Sequence, residues 1–108
     1  MSVTVRDAQH LCWKTFRLIN EKLNPERGKA WTPQITASEL LAEASKVAKV
    51  TNDLEDFDSL REPETKEMLA TELSNLIYLV FVLAEHYRVE LEDSFLQTVN
   101  DYMLKSIR

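Results

Sequence analysis

Apolar residues are most concentrated between Glu72 and Arg88. This segment opens with Glu72 and Asn75 and is then apolar from Leu76 to Ala84, without Gly or Pro, so it predicts a helix. A helix that is apolar on nearly every side is expected to be buried on nearly every side. The apolar run is shorter than the about 20 residues that span a bilayer. We therefore expect the central helix of a soluble helical domain with no membrane partner.

A second periodic pattern predicts a helix near the start of the chain. Thr4 is suited to cap this helix, which we expect to run to about Leu23. Spacings of three and four residues give it an apolar stripe made of Ala8, Leu11, Cys12, Phe16, Ile19 and Leu23.

The segment from residue 24 to residue 35 contains Pro25, Gly28 and Pro33, and it predicts a loop. Loops of this length often have a function. Trp31 lies within the segment, and its ring could stack on a ligand or could equally cover the core.

The sequence Thr36-Ala37-Ser38-Glu39 matches a capping box, with Ile35 and Leu40 placed as a hydrophobic staple. We therefore expect the second helix to begin at Thr36. Its apolar stripe is predicted to contain Leu40, Leu41, Ala44, Val47, Ala48 and Leu54.

Two further helices complete the predicted architecture. Pro63 suits the first turn of the third helix, which we expect to end near Tyr87. The segment 89–91 predicts a short break before a last helix over residues 92–106. The residues of this last helix expected to face inward are Phe95, Leu96, Val99, Tyr102 and Met103. The chain, residues 1–108, is thus predicted to be one all-α domain of four helices.

The amino-acid composition limits the classes of function that the chain can have. The 108 residues include 18 acidic and 13 basic side chains, a net charge of −5, which argues against a nucleic-acid partner because such binding draws on clustered Lys and Arg. Cys12 is the single cysteine and permits no internal disulfide, and no signal peptide is visible. We expect a cytoplasmic protein.

The polar residues of the second and third helices form the candidate site. Glu43 and Lys46 are three residues apart on one helix, and Glu72 and Asn75 are three residues apart on the next, so each pair points in one direction. Carboxylates arranged in this way on two packed helices would form an oxygen cage for magnesium. This chain supplies half of the carboxylates. The amide oxygen of Asn75 can still act as a ligand, whereas a protonated Lys46 cannot.

In this order, the motifs resemble those of the MazG-like, all-α nucleoside triphosphate pyrophosphohydrolases. The stretch 42–46, AEASK, stands where that family has Glu-Glu-x-x-Glu, and the stretch 72–75, ELSN, stands where it has Glu-x-x-Asp. The stretch 89–93, VELED, is similar to the family's turn into the last helix. The resemblance extends from about Trp31 to Lys105. It implies a four-helix MazG-like bundle and magnesium-dependent hydrolysis of a nucleoside triphosphate to the monophosphate and pyrophosphate.

The resemblance also implies roles for individual residues. Glu43 and Glu72 match catalytic metal-ligand positions, Asn75 replaces an Asp ligand, and Lys46 stands where a Glu is expected. Glu39, one turn before Glu43, could supply a third carboxylate ligand, although the expected capping role competes with that.

The nucleotide itself would be contacted by three further positions. Lys105 matches a phosphate-binding Lys of the last helix, and Trp31 resembles an aromatic residue that stacks on the base in some relatives. Lys46 adds a positive charge beside the expected phosphates. Other phosphate-binding positions of the family are replaced by Thr98 and Tyr102.

Three hypotheses remain open at this point. The chain could be an active pyrophosphohydrolase with an altered metal site, or a non-catalytic relative in which the Lys46 ammonium takes the place of the cation between Glu43 and Glu72. The latter would act as a nucleotide-binding or oligomeric interaction module. A generic bundle whose polar groups only satisfy one another is the third. In each case a four-helix chain has few surfaces to cover the third helix, so we expect a homodimer or a dimer of dimers.

Overall fold

The computed structural model describes residues 2–27, 31–56 and 62–107. The described residues form four α-helices and no strand: α1 (Val5–Arg27), α2 (Pro33–Asp56), α3 (Glu62–His86) and α4 (Leu91–Ile107). The prediction of an all-α chain with four helices is therefore confirmed.

The N-terminus of α1 is capped as predicted. The Thr4 hydroxyl accepts a hydrogen bond from the Asp7 backbone N–H at 3.0 Å, and the Asp7 carboxylate accepts one from the Thr4 N–H at 3.3 Å. This reciprocal pair satisfies two backbone donors that have no partner within the helix.

The predicted loop after α1 is too long. Helix α1 continues past Pro25 to Arg27, where Glu26 and Arg27 are good helix formers, and α2 already begins at Pro33. The expected N-cap at Thr36 is also wrong: Thr32 caps α2 instead, accepting a hydrogen bond from the Ile35 N–H at 3.2 Å. Pro33 fits directly after that cap because its missing N–H would have no partner in the first turn.

Helices α2 and α3 form the main contact of the fold, and α1 packs against α3. Residues early in α2 meet residues late in α3, since Thr36 contacts His86 and Glu43 contacts Asn75, so the two helices are antiparallel. The buried apolar residues are Phe16 on α1, Val50 on α2, and Leu79 and Val82 on α3.

The predicted apolar stripes of α1 and α2 are right in part, because Phe16 is buried and Ala8, Cys12, Leu40, Val47 and Leu54 are half-buried. Leu11 and Ile19 on α1 are 63% and 48% exposed, and Leu41 on α2 is 71% exposed. The side chain of Leu23 lies outside the described residues. Polar residues take inward positions that the predicted stripes did not include, since Gln9 and Thr36 are 2% and 0% exposed.

Helix α4 departs most from the prediction. None of its residues is buried, and the five expected to face inward are 44% to 68% exposed: Phe95, Leu96, Val99, Tyr102 and Met103. The prediction assumed that α4 folds back along the bundle, but its described contacts with α1 lie at its first turn. There the Arg6 guanidinium pairs with Glu92 at 3.4 Å.

Helix α3 also keeps much of its apolar surface exposed. Its segment Pro63–His86 is long and apolar enough to cross a membrane by length and composition alone, a property that core helices of soluble proteins share. Only 11% of its most apolar 18 residues are buried within the chain. The apolar surface of α3 therefore exceeds what the other described helices cover.

Candidate functional site

The buried face of α2 places a carboxylate in the middle of the helix contact. Spacings of four and three residues produce this face, which is made of Thr36, Leu40, Glu43, Val47, Val50 and Leu54. Glu43 is 8% exposed, so it lies on the face that packs against α3 rather than on the flank of an apolar stripe.

The facing side of α3 has the same design. Its buried or half-buried positions include Thr65, Leu69, Glu72, Leu76, Leu79, Leu83 and His86, again at spacings of four and three. Glu72 occupies the centre of this face and meets Glu43 across the contact. Two acidic residues thus interrupt otherwise apolar surfaces at the same level of the bundle.

The hydrogen bonds of the site converge on one oxygen. Glu43 Oε1 accepts from Lys46 Nζ at 3.4 Å and from Asn75 Nδ2 at 3.5 Å. The Lys46 side chain is 60% exposed and reaches the pair from the solvent edge, whereas the Glu43 side chain is 10% exposed. In the described structure the second oxygens, Glu43 Oε2 and Glu72 Oε2, are buried and have no donor.

The surroundings shift the pKa values of the two carboxyl groups in opposite directions. A hydrogen bond to Glu43, burial and the neighbouring negative charge all raise the pKa of Glu72. The same hydrogen bond lowers the pKa of Glu43, with further help from Lys46 and Asn75. Two carboxylates this close cannot both be ionised cheaply, so we assign the proton to Glu72 and the charge to Glu43.

A buried oxygen without a donor can be satisfied by a proton or by a cation. The carboxyl oxygens of Glu43 and Glu72 fit a hard divalent cation in chemical type, and the Asn75 amide, whose nitrogen faces Glu43, would offer its oxygen only after turning over. This set of ligands is sparse, because the described residues contain no group of three or more acidic, His or Cys side chains placed to hold a metal. The site therefore fits a weakly bound magnesium ion that keeps most of its waters. The ion would compete with the Lys46 ammonium and with the proton of Glu72.

The structure brings together four of the seven predicted site residues: Glu43, Lys46, Glu72 and Asn75. Glu39 is exposed on α2 one turn before Glu43, and its expected capping role is wrong because α2 begins at Pro33. Lys105 lies on α4 with its ammonium 5.6 Å from the ring centre of its neighbour Tyr102.

Trp31 belongs to an aromatic cluster rather than to the carboxyl pair. Its ring meets Phe16 edge-on at 6.3 Å, and Phe16 stacks on Trp13 at 5.4 Å. Its backbone N–H donates to the Asn20 side chain at 3.0 Å. Of the two interpretations left open for Trp31, the observed contacts are those of a residue that covers the core.

His86 lies at the centre of the same cluster. Its ring is 5.2 Å from Trp13 and 5.3 Å from Phe16, and Nε2 is 3.1 Å from the buried hydroxyl of Thr36. That hydroxyl also donates to the Thr32 carbonyl at 3.1 Å, so Nε2–H is the donor of the other bond. Burial lowers the pKa of His86, which favours the neutral ring.

Thr36 and Glu43 are seven positions apart, which places the aromatic cluster about 10 Å along α2 from the carboxyl pair.

Burial also raises the pKa of the Cys12 thiol, which argues against a nucleophilic role for Cys12.

Sequence reasoning missed Gln9, the most important polar residue outside the carboxyl pair. It is 2% exposed and donates to the Val89 carbonyl at 2.7 Å and to Glu85 at 3.2 Å, while its own oxygen accepts from the Leu91 N–H at 3.1 Å. The signal available in the sequence was its spacing of four and seven from Trp13 and Phe16, which places it on the same face.

The functional interpretation depends on the order of the two short motifs and on the buried carboxyl pair that they form. No protein-family model, curated protein or solved structure matches this chain.

Proposed function

We propose that this chain is a MazG-like nucleotide pyrophosphohydrolase with an altered cation site, converting a nucleoside triphosphate to the monophosphate and pyrophosphate. One observation carries the proposal: Glu43 and Glu72 meet inside the α2–α3 contact, each with a buried oxygen that lacks a donor. A carboxylate pair in this position costs stability unless a proton or cation compensates it. Such a pair is typical of a site rather than of simple core packing.

The residues have distinct roles in this proposal. Glu43, Glu72 and the Asn75 amide would hold magnesium, which when bound neutralises charge on the triphosphate. Lys46, whose side chain is 60% exposed at the edge of the pair, would contact a phosphate oxygen. Trp31 and Lys105 would contact the base and the outer phosphate, which requires both to leave their present aromatic contacts.

A second candidate function has its own observation. Lys46 and Asn75 both donate to Glu43, and the raised pKa of Glu72 favours its neutral form, so the charges of the site can be compensated without a metal. In that case the chain is a non-catalytic MazG-like protein that binds nucleotides or serves as an oligomeric interaction module in the cytoplasm.

The double variant Lys46→Glu with Asn75→Asp separates both MazG-like functions from a generic bundle, because it restores the carboxylates that the family has at both positions, whereas pyrophosphate release by wild type separates the two functions from each other. A site that once held a cation should bind magnesium at least about tenfold more tightly, since each added carboxylate contributes a hard, charged ligand. Titration calorimetry with magnesium measures the affinity, and pyrophosphate release from a panel of nucleoside triphosphates measures turnover.

The matched control is Lys49→Glu with Asn100→Asp, which makes the same charge changes at exposed positions of α2 and α4. If the first double variant gains no more affinity than the control and only loses stability, the bundle is a generic one and the proposal is wrong.

Self-association is part of the proposed function. The exposed apolar surface of α3 and α4 needs a cover, and a homodimer or a dimer of dimers provides one.

A further inference from the structure

Helix α4 has an apolar face that its own chain does not use. At about 100° per residue, six large side chains fall on one side of the helix: Phe95, Leu96, Val99, Tyr102, Met103 and Ile107. They are 44% to 74% exposed, and together they form what is called here the α4 face.

A groove lies beside this face. It has a volume of 470 Å³ between α3, α4 and the start of α1, and its lining includes Val5, Ile77, Val80, Phe81, Leu91 and Phe95. A second apolar groove of 550 Å³ adjoins it, because Val80 and Leu91 line both. The lining of the first groove offers only the hydroxyls of Ser94 and Thr98 as polar side-chain groups, so it lacks the oriented polar groups of a small-molecule site.

We infer that the groove between α3 and α4 is occupied by the α4 face of a second copy of this chain, in a symmetric exchange in which each copy supplies both surfaces. This inference deepens the self-association that is part of the proposed function. A convex apolar helix and a concave apolar groove on one chain form a closed dimer when a two-fold axis relates the copies, because each copy then gives one of each surface to the other.

The available area agrees with a stable dimer. The α4 face and the groove residues Ile77 and Val80 give eight large apolar side chains that are each 38% to 74% exposed. Their combined exposed area is on the order of the 800 Å² per partner of a standard interface. A lipid surface is the less suitable occupant. Helix α4 has one basic residue, Lys105, against three acidic ones, Glu92, Asp93 and Asp101, whereas interfacial helices are rich in Lys and Arg.

The test begins with sedimentation velocity at micromolar concentration. Wild type should sediment with twice the chain mass, and Val99→Glu should raise the dissociation constant at least about 100-fold, because it buries an unpaired charge in the interface. Val99 is 44% exposed in the single chain, so the variant should keep its helix content by circular dichroism. Met103→Glu, at a residue 61% exposed, gives a second variant in case the first fails to fold.

The matched control is Leu104→Glu, which lies on the opposite side of α4 and is 53% exposed. It should leave the dimer intact. A monomeric wild type, equal effects of Val99→Glu and Leu104→Glu, or association only with phosphatidylcholine–phosphatidylglycerol vesicles would each overturn the inference.

Disulfide trapping locates the contact. In a Cys12→Ser background, chains with Ile77→Cys are mixed with chains with Val99→Cys and oxidised, so that a cross-link can form only between copies. The mixed disulfide should exceed the homodimeric disulfide of either variant alone, and its absence would overturn the inference. Neither sedimentation nor disulfide trapping depends on cations or nucleotides. The inferred dimer contact can therefore fail while the proposed hydrolysis stands, and the proposed hydrolysis can fail while the dimer contact stands.

Discussion

We predict that the side chain of Gln9 stabilises the turn between α3 and α4, and the variant Gln9→Ala tests this. Helix α3 ends in a Schellman motif, with the Val89 N–H bonded to the Ala84 carbonyl at 2.9 Å and Arg88 in the left-handed region at φ 56°. Gln9, from α1, then binds the carbonyl of Val89 and the N–H of Leu91. It therefore joins both ends of the turn to α1.

The cost of Gln9→Ala follows from these contacts. Two hydrogen bonds to the backbone contribute about 1 kcal/mol each, and stranding a part-buried carbonyl or N–H costs about 1–3 kcal/mol more unless water reaches it. We expect a loss of about 2–4 kcal/mol in the free energy of unfolding. A loss of that size is a large fraction of the stability of a small domain.

Urea unfolding monitored by circular dichroism measures the loss. All variants are compared at one protein concentration, since self-association couples stability to concentration. Gln97→Ala is the control, because it removes an exposed side-chain bond to Asp101 and should cost less than about 0.5 kcal/mol. Equal losses for the two variants would refute the anchoring role.

The remaining predictions concern titratable and buried groups. The pKa of Glu72 is raised in the folded chain, so above the ordinary glutamate pKa of about 4.3 the folded chain keeps a proton that the unfolded chain has lost. Wild-type stability should therefore fall as pH rises from that value through the raised pKa. Glu72→Gln removes this proton, and its stability relative to wild type should grow as pH rises; parallel curves in urea unfolding from acid to neutral pH would contradict the raised pKa of Glu72. Thr36→Val should cost about 1–3 kcal/mol because it leaves His86 Nε2 without its hydrogen-bond partner, while the Thr32 carbonyl keeps its bond from the backbone N–H of residue 36. Thr15→Val removes only an exposed bond to the Leu11 carbonyl and should cost much less. Because burial lowers the pKa of His86, the stability that its neutral ring contributes is present above the ordinary histidine pKa and is lost as pH falls below it. An equal pH dependence of the free energy of unfolding in His86→Asn and wild type would count against a buried neutral ring.

The helices themselves could be predicted from the sequence because their signals are local. Thr4 and Asp7 form the expected cap, and Glu62 and Pro63 open α3 as the turn chemistry indicates. At α2, two local signals competed. The prediction used the capping box at Thr36 and did not consider Thr32 followed by Pro33, although a threonine cap before a first-turn proline is an equally good start.

The packing could not be predicted in the same way, because it depends on partners that lie far apart in sequence. Gln9 is buried since residues 76 to 82 positions later supply its hydrogen bonds, which no local pattern shows. Glu43 was expected to point toward Glu72, and it does, but the sequence could not show that each carboxyl keeps one buried oxygen without a donor. The α4 face was expected to be inward, since an apolar pattern does not tell whether its cover comes from the same chain.

Calorimetric titration of magnesium and then manganese into wild type, with pyrophosphate release from nucleoside triphosphates followed in the same samples, tests the central claim most directly. We predict saturable cation binding that Glu72→Gln abolishes and Lys49→Glu leaves unchanged, accompanied by pyrophosphate release. The absence of both cation binding and pyrophosphate release in wild type would contradict this prediction. It would mean that Lys46 and the proton of Glu72 take the place of the cation.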